Sequence, residues 1–144
     1  MSANDSLDNL IDVVGLVLFC TSTNRVAIFR RGPGDSGAGH WEFPGGKVEP
    51  HESNTTALQR EIDEELQFKI NPNQLKFIAQ RQHHYPTKAI QLFLYLYEVP
   101  SENTVFVLSD HDQYRWVSKV DLIQVHFSPA DLFLLPEVCK FIGL

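Results

Sequence analysis

The chain has 144 residues, 43% hydrophobic and 21% charged, the size and balance of one globular domain over 1–144 whose polar residues 1–10 are expected to be flexible. Twelve Lys and Arg against eighteen Asp and Glu leave a net charge of −6, a field that repels polyanions and excludes capture of a nucleic-acid duplex by a basic surface. No apolar run approaches the roughly 20 residues of a membrane span, and the opening Met1-Ser2-Ala3-Asn4-Asp5 is not a secretory leader, so the expectation is a cytoplasmic protein with no membrane partner.

Ile11 to Cys20 is apolar and rich in β-branched residues, and Arg25 to Phe29 follows a turn-like Thr21-Ser22-Thr23-Asn24, which predicts a pair of strands. From Arg30 to Val48 the chain carries six of its eight glycines and two prolines, the composition of a long functional loop. Ser53 to Gln67 contains neither Gly nor Pro; Ser53 suits an N-cap, and Leu58, Ile62 and Leu66 recur at helical spacing. Strands are predicted at Leu75–Gln80, Ala89–Val99, Thr104–Leu108 and Tyr114–Val117. Ser128-Pro129 opens a last helix that Pro136 should kink or restart. Strands mixed with two helices imply an α/β sandwich on a mixed sheet. Cys20 and Cys139 read as unpaired thiols, and the adjacent His83 and His84 lack zinc-ligand spacing.

On the first helix Glu61, Glu64 and Glu65 stand at i, i+3 and i+4, so at about 100° per residue they share one face, while Asp63 points away. Like charges so placed repel, and clustered carboxylate oxygens suit Mg²⁺ or Mn²⁺. A Glu61-x-x-Glu64-Glu65 run on a helix also describes an ordinary solvated face. The glycine pair Gly45-Gly46 just ahead of the helix lets backbone approach an ion or phosphate, and the small Ala57 leaves room for that loop. Arg60 could pair with Glu52 and fix a neighbouring carboxylate.

Gly46, Glu52, Arg60, Glu61, Ile62, Glu64, Glu65 and Phe68 together resemble the box of the Nudix hydrolases, G-x5-E-x7-R-E-U-x-E-E-x-G-U with U a bulky apolar residue. Gln67 stands where the family has glycine, and a non-glycine residue in a left-handed cap costs roughly 1–2 kcal/mol. The resemblance implies a Nudix-type α/β/α sandwich that splits a pyrophosphate bond with Mg²⁺ or Mn²⁺. It implies that Glu61, Glu64, Glu65 and the Gly46 carbonyl hold the ion, Glu61 also activating the nucleophile, with Glu52 and Arg60 in support. Asp110, His111 or Asp112 could supply a ligand or base from a later loop, although His111 also reads as a plain surface histidine.

Arg30-Arg31 and Trp41-Glu42-Phe43-Pro44-Gly45-Gly46-Lys47 resemble the MutT branch, which converts purine nucleoside triphosphates, oxidised ones included, to monophosphates and pyrophosphate. Phe127-Ser128-Pro129-Ala130-Asp131 is similar to that branch's F-P-P-A-N stretch, which implies that Asp131 meets the base edge; a first-turn acid favoured by the helix dipole is the other reading. Trp41 and Tyr85 are candidates to stack on a base, or core residues; Arg31 and Lys88 could contact phosphates. Leu108 to Trp116 is similar to a stretch of the diadenosine tetraphosphate hydrolases and dihydroneopterin triphosphate pyrophosphatases, which makes a dinucleoside polyphosphate hydrolase the alternative, beside a non-catalytic nucleotide-binding module. The expected partner is a small nucleotide, and the expected assembly a monomer or homodimer. Gly32-x-Gly34-x-x-Gly37 is no dinucleotide fingerprint, because no helix can follow through Gly39 to Gly46.

Overall fold

The computed structural model describes residues 10–34 and 37–143, so the flexible lead expected over residues 1–10 falls, except for Leu10, outside the described residues. Strand β1 (Leu10–Cys20) is the centre of the sheet, and every residue from Val14 to Cys20 except the side-chain-less Gly15 is a buried apolar one. A strand apolar on both faces has to be covered on both. Leu16, Leu18 and Cys20 face one layer and Val17 and Phe19 the other, as the period of two requires.

Strand β2 (Arg25–Arg31) returns antiparallel beside β1 through a turn whose Asn24 takes the left-handed conformation. The glycine-rich stretch expected to be loop holds two short strands, β3 (Trp41–Glu42) and β4 (Gly45–Lys47), paired with β2 and β1. Strands β5 (Lys76–His84) and β6 (Ala89–Val99) form a hairpin, and β6 lies parallel to β1 in register from Leu10↔Ala89 to Cys20↔Val99. Strand β7 (His111–Val117) pairs with β2. The backbone order β3-β2-β1-β6-β5, with β4 on β1 and β7 on β2, is a mixed sheet.

Helix α1 (Asn54–Leu66) covers one face through Ala57, Leu58, Ile62 and Leu66. Ser53 caps it by accepting from the Thr56 amide at 3.2 Å. Gln67 ends it at φ 51°, ψ 42°, so the glycine position is met in its left-handed form by a glutamine. The short helices α2 (Lys119–Leu122), α3 (Pro129–Leu132) and α4 (Leu135–Phe141) cover the other face through Leu122, Ala130, Leu134, Leu135 and Val138. Pro136 lies in the first turn of α4, so the last helix is interrupted and restarted as expected.

Thr104–Leu108 is not a strand, and the reason lies in α1. The last four carbonyls of a helix lack donors of their own. Here Asp63 O receives the Gln67 amide, Glu64 O the Ser109 hydroxyl, Glu65 O the Ser109 amide, and Leu66 O the Val107 amide. The donors of this segment are spent on the helix rather than on a sheet. That docking carries the chain directly to Asp110 and His111, beside the acidic face of α1.

Candidate active site

Strand β4 presses against the helix at one point. A Cβ on Gly46 would come within 2.6 Å of Glu61 Oε1 and nearer still to the other two carboxyl atoms, so the Glu61 carboxylate occupies the space that glycine leaves. One turn on, Glu65 is only 4% exposed and receives no hydrogen bond from a basic side chain among those described. Burial, a hydrogen bond with Glu61 and the nearby charges of Glu61, Glu42 and Asp110 all push its carboxyl far above the ordinary range. A cleft of about 260 Å³ opens between these groups, lined by Arg31, Glu42, Gly45, Glu61, Glu65 and Asp110.

The sequence reading had gathered Glu61, Glu64 and Glu65, and the structure divides them. Glu61 and Glu65 line the cleft, whereas the Glu64 side chain is 60% exposed and lies 3.5 Å from Arg60 Nη1. Arg60 is the hub of the support. Its Nε and Nη2 donate to the two Glu52 oxygens at 2.7 and 2.9 Å, Nη1 to Glu61 Oε1 at 2.9 Å, and Nη2 also to the Lys47 carbonyl at 3.1 Å. Glu52 further accepts the Glu49 amide at 2.9 Å, and chiefly through Arg60 its carboxyl is lowered to about 2. One guanidinium therefore ties the end of β4, the loop before α1 and the Glu61 carboxylate into a fixed relation.

Across the cleft, Glu42 takes Arg31 Nη1 at 3.1 Å on Oε1 and His111 Nε2 at 2.9 Å on Oε2. His111 is not the surface histidine that the sequence allowed: its side chain is 1% exposed, tilted against the Phe29 ring 5.5 Å away. Asp112, its neighbour, is turned outward in a two-bond pair with Arg30 at 2.8 and 3.1 Å.

Asp131 is also buried, and its Oδ2 accepts the Phe43 amide at 3.0 Å and the Ser128 hydroxyl at 3.3 Å. Desolvation first, then the charge of Glu42, raises its carboxyl to about 7. The Tyr85 hydroxyl is held at the Ala130 backbone beside it, and Lys88 lies over the Tyr85 ring, 5.7 Å from its centre. Of the two readings of Trp41, the structure places its ring in the core, and Phe43 joins it there. Trp41 and Phe43 belong to the core under α2–α4, 9% and 4% exposed, and Trp41 is faced by Arg30 and Arg115 at 5.9 and 5.4 Å. Trp41 pairs with Arg30 across β3 and β2, and the Trp41 and Phe43 rings both pack in that core. Phe43 meets the cleft's Asp131 through its backbone alone.

The donor set is hard oxygen, the class that Mg²⁺ and Mn²⁺ select. Among the described residues no three His, Cys, Asp or Glu side chains form a finished metal site. The half-buried Glu61 and the buried Glu65 against the Gly46 cradle fit an ion that backbone, water and phosphate oxygens complete.

Residues 10–134 match the model of the NUDIX domain. The chain belongs to the Nudix family. This Nudix protein is 31% identical over 126 residues to the CTP pyrophosphohydrolase of Escherichia coli (strain K12), covering 88% of this chain and 89% of that one. It is 31% identical over 102 residues to the 8-oxo-dGTP diphosphatase of Buchnera aphidicola subsp. Schizaphis graminum (strain Sg), covering 71% and 74%. Among solved structures, the E. coli ORF135 protein superposes with a TM-score of 0.76 at 29% identity, covering 94% and 92% of the two chains. The MutT protein of Methanosarcina mazei Go1 reaches 0.80 over 94% and 96%, and at 21% identity it bears on the fold alone. The protein is a MutT-like Nudix hydrolase with the expected α/β/α sandwich, and Nudix hydrolases act on small nucleotides with divalent cations. No helix among the described residues is long and apolar enough to cross a membrane.

Sequence reasoning missed two features. The Glu42 carboxylate is a junction between Arg31 and His111, and the Val107–Ser109 segment is the support that brings Asp110 to the cleft. The only sequence signal for either was the Leu108 to Trp116 stretch, which includes Asp110 and His111.

Proposed function

We propose that this hydrolase converts nucleoside triphosphates, normal or oxidised purine nucleotides among them, to nucleoside monophosphate and pyrophosphate, using Mg²⁺ or Mn²⁺. The observation that carries this reading is the pair of the half-buried Glu61 and the buried Glu65, set against Gly46 and facing Arg31 across the cleft. Glu61, Glu65 and the Gly46 carbonyl would hold the ion, with Asp110, which lines the same cleft, and Glu64 as further ligands. When bound, the ion polarises the phosphate oxygens and makes water an accessible nucleophile near neutral pH.

The protein's own residues do the rest. Arg60 and Glu52 keep the Glu61 carboxylate in place as the proton acceptor. Arg31, held by Glu42, and Lys88 present positive charge to the phosphates. Asp131, with Tyr85 at its side, meets the base.

A second reading of the base rests on Asp131. Its Oδ2 is already engaged by Phe43 and Ser128, which leaves Oδ1 to meet the ligand. Guanine offers two adjacent donors, N1–H and N2–H₂, which call for two acceptors. One oxygen suits the single exocyclic N4–H₂ donor of cytosine, the base in the substrate named for the E. coli relative.

The test is a substrate panel of dGTP, 8-oxo-dGTP, CTP, dATP and diadenosine tetraphosphate, with Mg²⁺ or Mn²⁺ and product identification. Pyrophosphate with a monophosphate is expected. ATP with AMP from the dinucleotide as the preferred reaction overturns the triphosphate reading, and ligand-induced thermal stabilisation without product overturns catalysis.

A further inference from the structure

Strand β7 contains one irregularity. Its pairing with β2 runs Val26↔Val117, Ala27↔Trp116, Ile28↔Arg115, Phe29↔Tyr114 and Arg30↔Gln113, then jumps to Arg31↔His111. Asp112 is the extra residue of a bulge. In the regular part, Tyr114 and Trp116 pack in the layer under α1, while Val117 belongs to the opposite core and Arg115 reaches Trp41 there. Uninterrupted alternation would send His111 to the side of Arg115 and Val117. The bulge reverses it, so the imidazole enters the α1 layer against Phe29, between Glu42 and Glu65.

The ring is fully engaged on one side only. Nε2 is 2.9 Å from Glu42 Oε2. Nδ1 is buried with no hydrogen-bond partner, 3.9 Å from Glu65 Oε1. A buried polar atom left unpaired is destabilising, which points to a partner that arrives. Glu65 needs to move by only about 1 Å to reach hydrogen-bond distance.

We propose that His111 is a positioning residue that ties the two sides of the cleft together: its Nε2 pairs with Glu42, which holds Arg31, and its Nδ1 pairs with Glu65 when that carboxyl turns toward the ion. This inference rests on the ion site under Proposed function. It adds a mechanical link between Glu65 and the Glu42–Arg31 pair, which no covalent or strand contact supplies.

The link is separable, because a glutamine amide reaches the Nε2 position and an asparagine amide the Nδ1 position. In the full chain, His111→Gln should keep the Glu42 bond and lose the Glu65 one. Its Mn²⁺ dissociation constant, followed by electron paramagnetic resonance of free Mn²⁺, should rise about tenfold with KM within twofold of the parent. His111→Asn should show the reverse, Mn²⁺ affinity retained and KM raised about tenfold. Two variants with identical profiles, or Mn²⁺ affinity unchanged in His111→Gln, overturn the link. Should either variant fail to fold, the parent protein decides alone: Mg²⁺ should shift the His111 Nδ1 resonance in long-range ¹H–¹⁵N spectra and leave Nε2 nearly in place. An unmoved Nδ1 in protein that binds Mg²⁺ overturns the link while sparing the ion site. Failure of the parent to bind either ion overturns both.

Discussion

Alanine at either of two adjacent glycines should have opposite consequences. At Gly46 the new Cβ meets only the end of a flexible side chain, the Glu61 carboxylate, with Oε1 at 2.6 Å. At Gly45 it meets the backbone of the central strand, the Val14 carbonyl and Gly15 Cα at 2.8 Å. Neither glycine needs a left-handed φ, so alanine is not excluded by the backbone conformation itself. Gly46→Ala is therefore accommodated by a retreat of Glu61 of about 1 Å, and misplacement of that size can cost on the order of 10²-fold in rate. The unfolded chain loses freedom at the same time, which stabilises the fold by about 0.4–1 kcal/mol. Gly45→Ala has no such escape. Strand β4 must lift from β1, straining the Leu16 N–H donation to the Pro44 carbonyl at 2.8 Å, and overpacking of this kind costs about 1–3 kcal/mol plus about 1 for the hydrogen bond. Pyrophosphate release and thermal melting, measured side by side, check the pair. Expected are a stable, nearly inactive Gly46→Ala protein and a Gly45→Ala protein whose Tm falls by roughly 10 °C. Activity of Gly46→Ala within threefold of the parent would refute the role given to the Gly46–Glu61 contact.

Four further outcomes follow from the same geometry. Glu65→Gln relieves a buried carboxylate pressed by its acidic neighbours, so without metal it should melt higher than the parent at neutral pH, yet Mn²⁺ should no longer raise its Tm; equal Mn²⁺ stabilisation of both proteins contradicts the assignment. Glu52, lowered to about 2 from an ordinary 4.5, contributes stability that is complete above the unfolded value and lost as pH falls through about 2, so melting of Glu52→Gln should depend less on pH across that window. Asp131, raised from 3.8 to about 7, runs the other way: between those values the unfolded chain gives up the proton first, and stability declines as pH rises, so Asp131→Asn should melt higher than the parent at about pH 8 and no higher at about pH 3. Gln67→Gly removes a side chain from a left-handed cap and should add about 1 kcal/mol in urea unfolding with little change in turnover.

What could be read from the sequence divides along the range of the interactions involved. Helix α1, its Ser53 cap and the sector shared by Glu61 and Glu65 follow from 3.6-residue periodicity and a local capping bond, so they were legible residue by residue. Strands β1 and β6 were legible for the same reason, being long apolar runs bounded by polar turns. The separation of Glu64 from its two neighbours was not, because helical spacing gives the face of a residue but not where the covering loop stops. The rim is set by β4, and Arg60 draws Glu64 outward there.

The clearest limit lies between Thr104 and His111. Thr104–Leu108 has the composition of a strand, and nothing local says otherwise. What decides is that α1 ends with carbonyls in need of donors a few ångströms away, and Val107 and Ser109 supply them. For a related reason the sequence stays silent on the side to which His111 turns. Its inward orientation depends on a single extra residue, Asp112, and a bulge of one residue reverses every side chain beyond it. Asp112, the extra residue, pairs with Arg30 through two hydrogen bonds at 2.8 and 3.1 Å outside the ladder. The one-residue shift between β2 and β7 thus sends His111 to the side of the sheet where Glu65 lies, a dependence that runs through the register of two strands and through no sequence neighbour of the acidic helix.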